Sequence, residues 1–147
     1  NNSVFFGYSS KAHDGFLGNS VIGEWCNLGA DTNNSNLKNN YTQVKLWNYE
    51  VERFKNTELQ FCGLIMGDHS KCGINTMLNT ATVVGVSCNL FGAEFPPKFI
   101  PSFSWGNSGE TFEFHKAIVA ANNMMARRGL ALSDAEVSIL RHLSDKN

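Results

Sequence analysis

Between Met66 and Gly92 the chain repeats every six residues. An apolar side chain recurs at Met66, Cys72, Leu78, Val84 and Leu90, numbered here as position one of a hexad. Position two reads Gly67, Gly73, Asn79, Gly85 and Phe91, and position five reads Ser70, Thr76, Thr82, Cys88 and Glu94. The same frame occurs upstream, with Phe16, Ile22 and Leu28 at position one, Gly23 and Gly29 at position two, and Ser20, Cys26 and Thr32 at position five. It reaches back to Val4, with Tyr8 at position five, through a degraded hexad that begins at Ser10. A period of six matches neither the helix nor the two-residue alternation of one strand. Fixed-period repetition marks a stacked architecture, and hexads specify a parallel β-helix. Each hexad supplies a short strand and a corner. Position one points into the core, and position five must be small because walls converge there. Gly or Asn at the corner is expected to accept unusual backbone angles. About eight hexads, three to a coil, make nearly three coils.

Two stretches leave the rhythm. An inserted loop is expected over about 33–61, opening with the turn-forming "NNSNLKNNY". Its second part, "TQVKLWNYEVERFKNTELQF", alternates loosely and suits a hairpin. Its Lys, Tyr and Trp content suits the wall of a site, since such loops can change without disturbing the stack. After Leu90, prolines at 96, 97 and 101 remove backbone donors and are expected to end the sheet. Residues 1–95 thus read as the β-helix with its insertion, and 96–147 as a connecting segment and C-terminal α-helices. The first helix lies within "TFEFHKAIVAANNMMARR", capped by Asn107 with Glu110 or by Ser108, and stops at Gly129. The second follows a Ser133/Glu136 capping box and presents Val137, Leu140 and Leu143 on one face. These helices are expected to cap the solenoid's end or pack on its flank. The expected fold is mainly β.

Composition narrows the function classes. A formal net charge of −1 gives no basic field for nucleic acid or an anionic membrane. Short apolar runs argue against membrane insertion and a signal peptide. The four cysteines, Cys26, Cys62, Cys72 and Cys88, form no CxxC pair, and three occupy repeat positions. Reduced thiols and a cytoplasmic setting are expected. The chain begins at Asn1 without methionine and is apolar by Val4–Phe6, which reads as a piece of a longer protein.

Four histidines carry the acid–base options. His115 and His142 sit among charged residues in helix patterns and read as surface residues, and His69 reads as exposed on a coil face. His13 precedes Asp14 at the entry to a clean hexad. His13 and His69 lie far apart with no third histidine in the coils, so no zinc set of three is drawn and no metal is assigned. No phosphate loop, dinucleotide fingerprint or nucleophile elbow occurs. Asn19, Asn27, Asn33, Asn34, Asn36, Asn39 and Asn40 offer amides that both donate and accept, suiting corners or sugar hydroxyls.

The stretch "HDGFLGNSVIGEWCNLGADTNNSNLKNNY" resembles the acetyltransferase domain of bifunctional N-acetylglucosamine-1-phosphate uridylyltransferase/glucosamine-1-phosphate acetyltransferases. The resemblance rests on His13, on Asn27 fourteen residues later, on "GADT" at 29–32 and on Asn36-Leu37. "GDHSKCGINTMLNTATVVGVSCNLFG" is similar to the coil segment where that family holds acetyl-CoA. The nearest branch is one of sugar nucleotidyltransferases, whose nucleotidyltransferase domain, with its Mg2+, would lie upstream of this chain.

The resemblance implies a left-handed helix, a homotrimer with sites between subunits, and N-acetylation of an amino sugar 1-phosphate, glucosamine 1-phosphate first. It matches His13 to the general base, Phe16, Asn27 and Asn36 to acceptor contacts, and Lys38 or Lys45 to a phosphate lysine. Ala30, Ile74 and Gly92 fall on the acetyl-CoA path. Phe16 stands where the family has tyrosine, Asp31 where it has glycine and Ile74 where it has serine. An imidazole with a pKa near ~6.5 can take an amine proton around neutral pH, with Asp14 to orient it. A backbone N–H can stabilise the thioester oxyanion. The rivals are a non-catalytic trimerising or regulatory tail and a hexapeptide acyltransferase with another amino sugar or acyl group.

Overall fold

The computed structural model describes residues 1–147. The chain winds through three flat faces in turn. β1 (Val4–Phe5) lies on the first face of the first coil. β2 (Val21–Ile22), β3 (Asn27–Leu28) and β4 (Asn33–Asn34) lay one strand on each face of the next. After a hairpin of β5 (Lys45–Asn48) and β6 (Arg53–Asn56), the third coil brings β7 (Ile65–Met66), β8 (Lys71–Cys72) and β9 (Met77–Leu78). β10 (Val83–Val84), β11 (Asn89–Leu90), β12 (Phe99–Ile100), β13 (Ser104–Trp105) and β14 (Glu110–Thr111) complete the stack. The first face is β1-β2-β7-β10-β12, the second is β3-β8-β11-β13-β14, and β4-β9 form the third. All the stacked pairs are parallel except β13–β14. This arrangement is a parallel β-helix.

The register explains the period. Ile65 pairs with Val83 and Lys71 with Asn89, each eighteen residues on, so three hexads close a coil. Val21 pairs with Ile65, 44 residues on, so the insertion adds 26. Val4 meets Val21 after seventeen residues and Val83 meets Phe99 after sixteen, which is why the hexads degrade at both ends.

Position one builds the core. Ile22, Leu28, Met66, Cys72, Leu78, Val84 and Leu90 are all buried in one cluster. Position five is buried as well from Ser20 to Cys88, where its residues share a donor as well as a small size, whereas Tyr8 and Glu94 at the two ends of the series are exposed. The hydroxyl of Ser70 donates to the Gly85 carbonyl at 2.6 Å, Thr76 to Gly73 at 2.8 Å and Thr82 to Asn79 at 2.7 Å. The thiols of Cys26 and Cys88 donate to Gly67 and Pro101 at 3.2 and 3.1 Å. Corner carbonyls enclosed by three walls need such partners. Phe16 departs from the expected pattern: it is 43% exposed, and Leu17 fills the inward place.

The corners also depart from it. The position-two glycines are not where the backbone turns left-handed. Positive φ falls at position four, on Asn19, Trp25, Asp31, His69, Asn75, Ala81 and Ser87, at 52 to 62°. The glycines serve close stacking instead. A Cβ on Gly85 would stand 2.4 Å from the Ser102 nitrogen, and one on Gly67 2.8 Å from the Gly85 backbone.

The prolines do not end the sheet. β12 pairs with β10, because Val83 and Gly85 donate to the carbonyls of Lys98 and Ile100 at 2.8 Å. The upper strand is asked for acceptors there, so the missing proline donors cost nothing. The helix therefore runs past residue 95 to β13. The insertion also begins later than residue 33, because β4 is part of the stack and Asn34 occupies a buried position one. It leaves at Leu37 and returns at Phe61, which form an antiparallel bridge. Its second part is the expected hairpin, with β5 antiparallel to β6 and Trp47 stacked on Phe99 at 4.1 Å.

α1 (Phe114–Ala126) is capped by Glu113, not by Asn107 or Ser108, because Glu110–Thr111 extend the second face. Gly129, at φ +71°, closes it. α2 (Asp134–Asp145) has the expected Ser133 cap, whose hydroxyl accepts from the Glu136 amide at 3.1 Å. Phe114, Ala117 and Leu140 pack on Phe103, with Val86, Val137 and Leu143 around them, so the helices lie on the flank. No helix is long and apolar enough to cross a membrane.

Gly85→Ala should cost about 2–3 kcal/mol, because backbone must shift to admit the methyl group. Gly73→Ala, whose Cβ would meet nothing within 3.7 Å, should change stability by less than about 1 kcal/mol. Thermal unfolding of the two variants side by side checks this.

Candidate functional site

One corner of the prism, between the second and third faces, gathers four of the residues singled out from the sequence. The Asp31 amide donates to the Asp14 carbonyl at 2.8 Å, so His13–Asp14 lie beneath Ala30–Asp31. The Asn75 amide donates to the Ala30 carbonyl at 2.8 Å, and Gly73 donates to Leu90 at 2.8 Å. Ala30, Ile74 and Gly92 are therefore the same hexad position on successive coils, with His13 below them. The column is open: Ile74 is 70% exposed. Gly92 has φ +140°, and the Asn107 amide packs 2.4 Å from where a Cβ would stand. The backbone N–H groups of Ala30 and Ile74 donate to no backbone carbonyl and are left over along this edge.

At the foot of the column His13 is exposed and lines a shallow depression of about 350 Å³ with Lys11, Phe16 and the N-terminal strand. Lys11 holds this loop, its ammonium donating to the carbonyls of His13 and Asp14 at 3.1 and 2.9 Å. The expected orienting bond from the Asp14 carboxylate is not formed. Phe16 continues the depression onto the third face. Its amide donates to the Asn33 side chain at 2.7 Å. Its ring and the Asn36 amide both close over Gly18, 2.4 and 2.9 Å from the place of a Cβ. Asn36 is oriented by donating to Asn19 at 2.8 Å. His13, Phe16 and Asn36 thus form one strip.

The remaining candidates lie elsewhere in the same chain. Asn27 stands on the second face, paired with Lys71. Lys38 belongs to the corner where the third face ends, in an open depression of about 520 Å³ with Asn39, Asn40, Asn79, Thr80 and Phe95. Lys45 is exposed at the start of the hairpin. Lys11 was not legible as a site residue, and Asn33 stood out only as one of a series of amides, because their roles depend on which coils stack.

The thiols offer no nucleophile here. All four are free and buried, and burial pushes Cys26 up to about 11. His69 is not the exposed residue expected. It is half-buried, its Nδ1 is enclosed without a partner, and burial followed by the neighbouring Lys71 lowers its pKa.

No protein-family model matches the chain. Among curated proteins, it is similar to the bifunctional protein GlmU of Methanocaldococcus jannaschii. The two are 36% identical over 86 residues, which are 58% of this chain and 20% of GlmU. The chain thus matches only about a fifth of that relative's length.

Stability should depend on pH through His69. An unfolded chain protonates this histidine near 6.5, whereas the folded chain resists until lower pH. The stabilisation is complete above that value and declines as pH falls below it. His69→Asn keeps a residue that accepts the left-handed corner and removes the titration. Its melting temperature should fall less steeply than that of the parent below pH 6.5. Equal slopes would show that His69 protonates freely in the fold.

Proposed function

We propose that the chain is an acetyl-CoA-dependent N-acetyltransferase acting on an amino sugar 1-phosphate, glucosamine 1-phosphate foremost, in cytoplasmic nucleotide-sugar biosynthesis. The observation that carries the reading is the open column of Ala30, Ile74 and Gly92 above His13. A long, thin thioester needs an extended open edge with free backbone donors, and this corner offers the N–H groups of Ala30 and Ile74, with small residues at Ala30 and Gly92 and the exposed Ile74 between them. Similarity to part of GlmU supports the same reading.

In this reading the acceptor amine lies between His13 and the thioester carbonyl. His13 takes the amine proton as nitrogen attacks. A backbone N–H of the column steadies the oxyanion, and collapse of the tetrahedral adduct expels the CoA thiolate, which receives the proton. Phe16 and Asn36 wall the acceptor sugar. Asn27 and one of Lys38 or Lys45 meet its phosphate from a neighbouring subunit. Lys38 lies at a different corner from His13 within one chain, so a homotrimer of left-handed helices would complete the site. Mg2+ belongs to an upstream nucleotidyltransferase domain, not to these residues.

Three departures favour a second reading, a non-catalytic trimerising or regulatory tail. Phe16 offers the acceptor no hydroxyl, Asp31 stands at the corner in place of a glycine, and Ile74 offers the thioester no side-chain hydrogen bond.

CoA release with acetyl-CoA and a panel of amino sugar phosphates tests the proposal. His13→Ala should lower turnover by about 100-fold or more, with oligomer size unchanged. Undiminished turnover would remove His13 from the chemistry. Absence of both turnover and acetyl-CoA binding in the parent chain would favour the tail.

A further inference from the structure

A second cavity lies away from the His13 column, where α1 crosses the second face. It has a volume of about 490 Å³, within the range of small-ligand sites. Its lining is mixed in chemistry. The second face contributes Lys71, Asn89 and Trp105, which stand on one ladder. α1 contributes Lys116 and the small side chains of Ala117 and Ala120, with Phe112 and His69 completing the lining.

Lys71 is the unusual member. It projects from the middle of the ladder Asn27–Lys71–Asn89, so the stack fixes its stem. Its ammonium makes one hydrogen bond, to the His69 carbonyl at 3.2 Å. Burial depresses its pKa, and no carboxylate offsets that burial. Lys116 approaches the same space from α1. The one carboxylate on the rim, Glu113, already accepts from the amides of His115 and Lys116 at 3.1 and 2.9 Å, as the cap of the helix. Two cations therefore face the cavity against one engaged carboxylate. His69 lines the cavity too, although its Nδ1 is enclosed without a partner. Trp105 is 37% exposed, held edge-on by Phe91 at 5.5 Å and against Phe112 at 4.9 Å.

We propose that this cavity is a separate binding site for a small phosphate monoester that carries a flat ring, with Lys71 and Lys116 on the phosphate and Trp105 under the ring. Two ammonium groups from different elements can reach different oxygens of a tetrahedral anion. An immobile indole supplies the sequence-tolerant face on which a planar ring stacks. Asn89 remains for ring or sugar polar atoms. The assignment is independent of the acetyltransferase reading, because no residue of the column takes part.

Calorimetric titration of the full chain with UMP, uridine and inorganic phosphate tests it. UMP should bind saturably, with uridine at least about tenfold weaker. Lys71→Met should weaken UMP at least about tenfold, and Lys116→Ala, on the exposed helix surface where folding is not at issue, should weaken it in the same direction. Trp105→Leu should weaken UMP but leave inorganic phosphate unchanged, and His13→Ala should bind UMP as the parent does. The proposal is overturned if UMP shows no saturable binding at millimolar concentration. It is equally overturned if uridine binds as well as UMP, if Lys116→Ala binds as the parent does, or if His13→Ala abolishes binding. Absence of acetyltransferase activity and of acetyl-CoA binding in the parent chain, with UMP binding present, would leave this site standing and remove the other.

Discussion

The hydrogen bond from each left-handed corner to the coil beneath it governs this molecule. The amides of Asn19, Trp25, Asp31, His69, Asn75, Ala81, Ser87 and Phe103 reach carbonyls of Asn1, Gly7, Asp14, Glu24, Ala30, Cys62, Asp68 and Val86, at 2.8 to 3.2 Å. A positive φ is unfavourable for an ordinary side chain, by about 1–2 kcal/mol. It persists because it turns the amide out of the strand plane and along the stack. The bond makes each coil's corner dependent on its neighbour. Strands of two residues, too short to form a stable sheet alone, are thereby held in one register.

That constraint decides where chemistry can sit. Because the corners superimpose, residues three hexads apart become vertical neighbours. Four scattered positions, His13, Ala30, Ile74 and Gly92, line up on one edge. The face ladders do the same for Asn27, Lys71 and Asn89. Side chains on a corner or an outward face are free to vary, since position one and position five carry the core. The column and the second-face cavity therefore use the same geometric principle on different sides of the prism.

The two additions to the coil are attached by apolar contacts. The insertion returns through Val44, Cys62 and Ala81, which form a small cluster of their own, and ends with Trp47 against Phe99. The C-terminal helices sit on Phe103 and Val86, one of the corners, and their placement creates the cavity over Lys71. Neither addition interrupts a corner bond of the stack.

The period of six, the inward positions, the small buried position five, the hairpin and the second helix were all legible in the sequence, because each follows from local spacing. So was the resemblance that pointed to His13. Other features depended on contacts between distant segments. The true corner at position four carries residues as unlike as Trp25, Asp31 and Ala81, so no residue type marks it. The prolines were misleading because the coil below supplied the donors. Asn34 was hidden because an amide replaces the aliphatic core residue and meets the backbone of Gly18 instead. The burial of His69 and Lys71 required α1 to fold over residues more than forty positions upstream. Spacing along the chain determined the solenoid. Only stacking and flank packing decided which residues share a corner and which become enclosed, because those depend on contacts that no local pattern encodes.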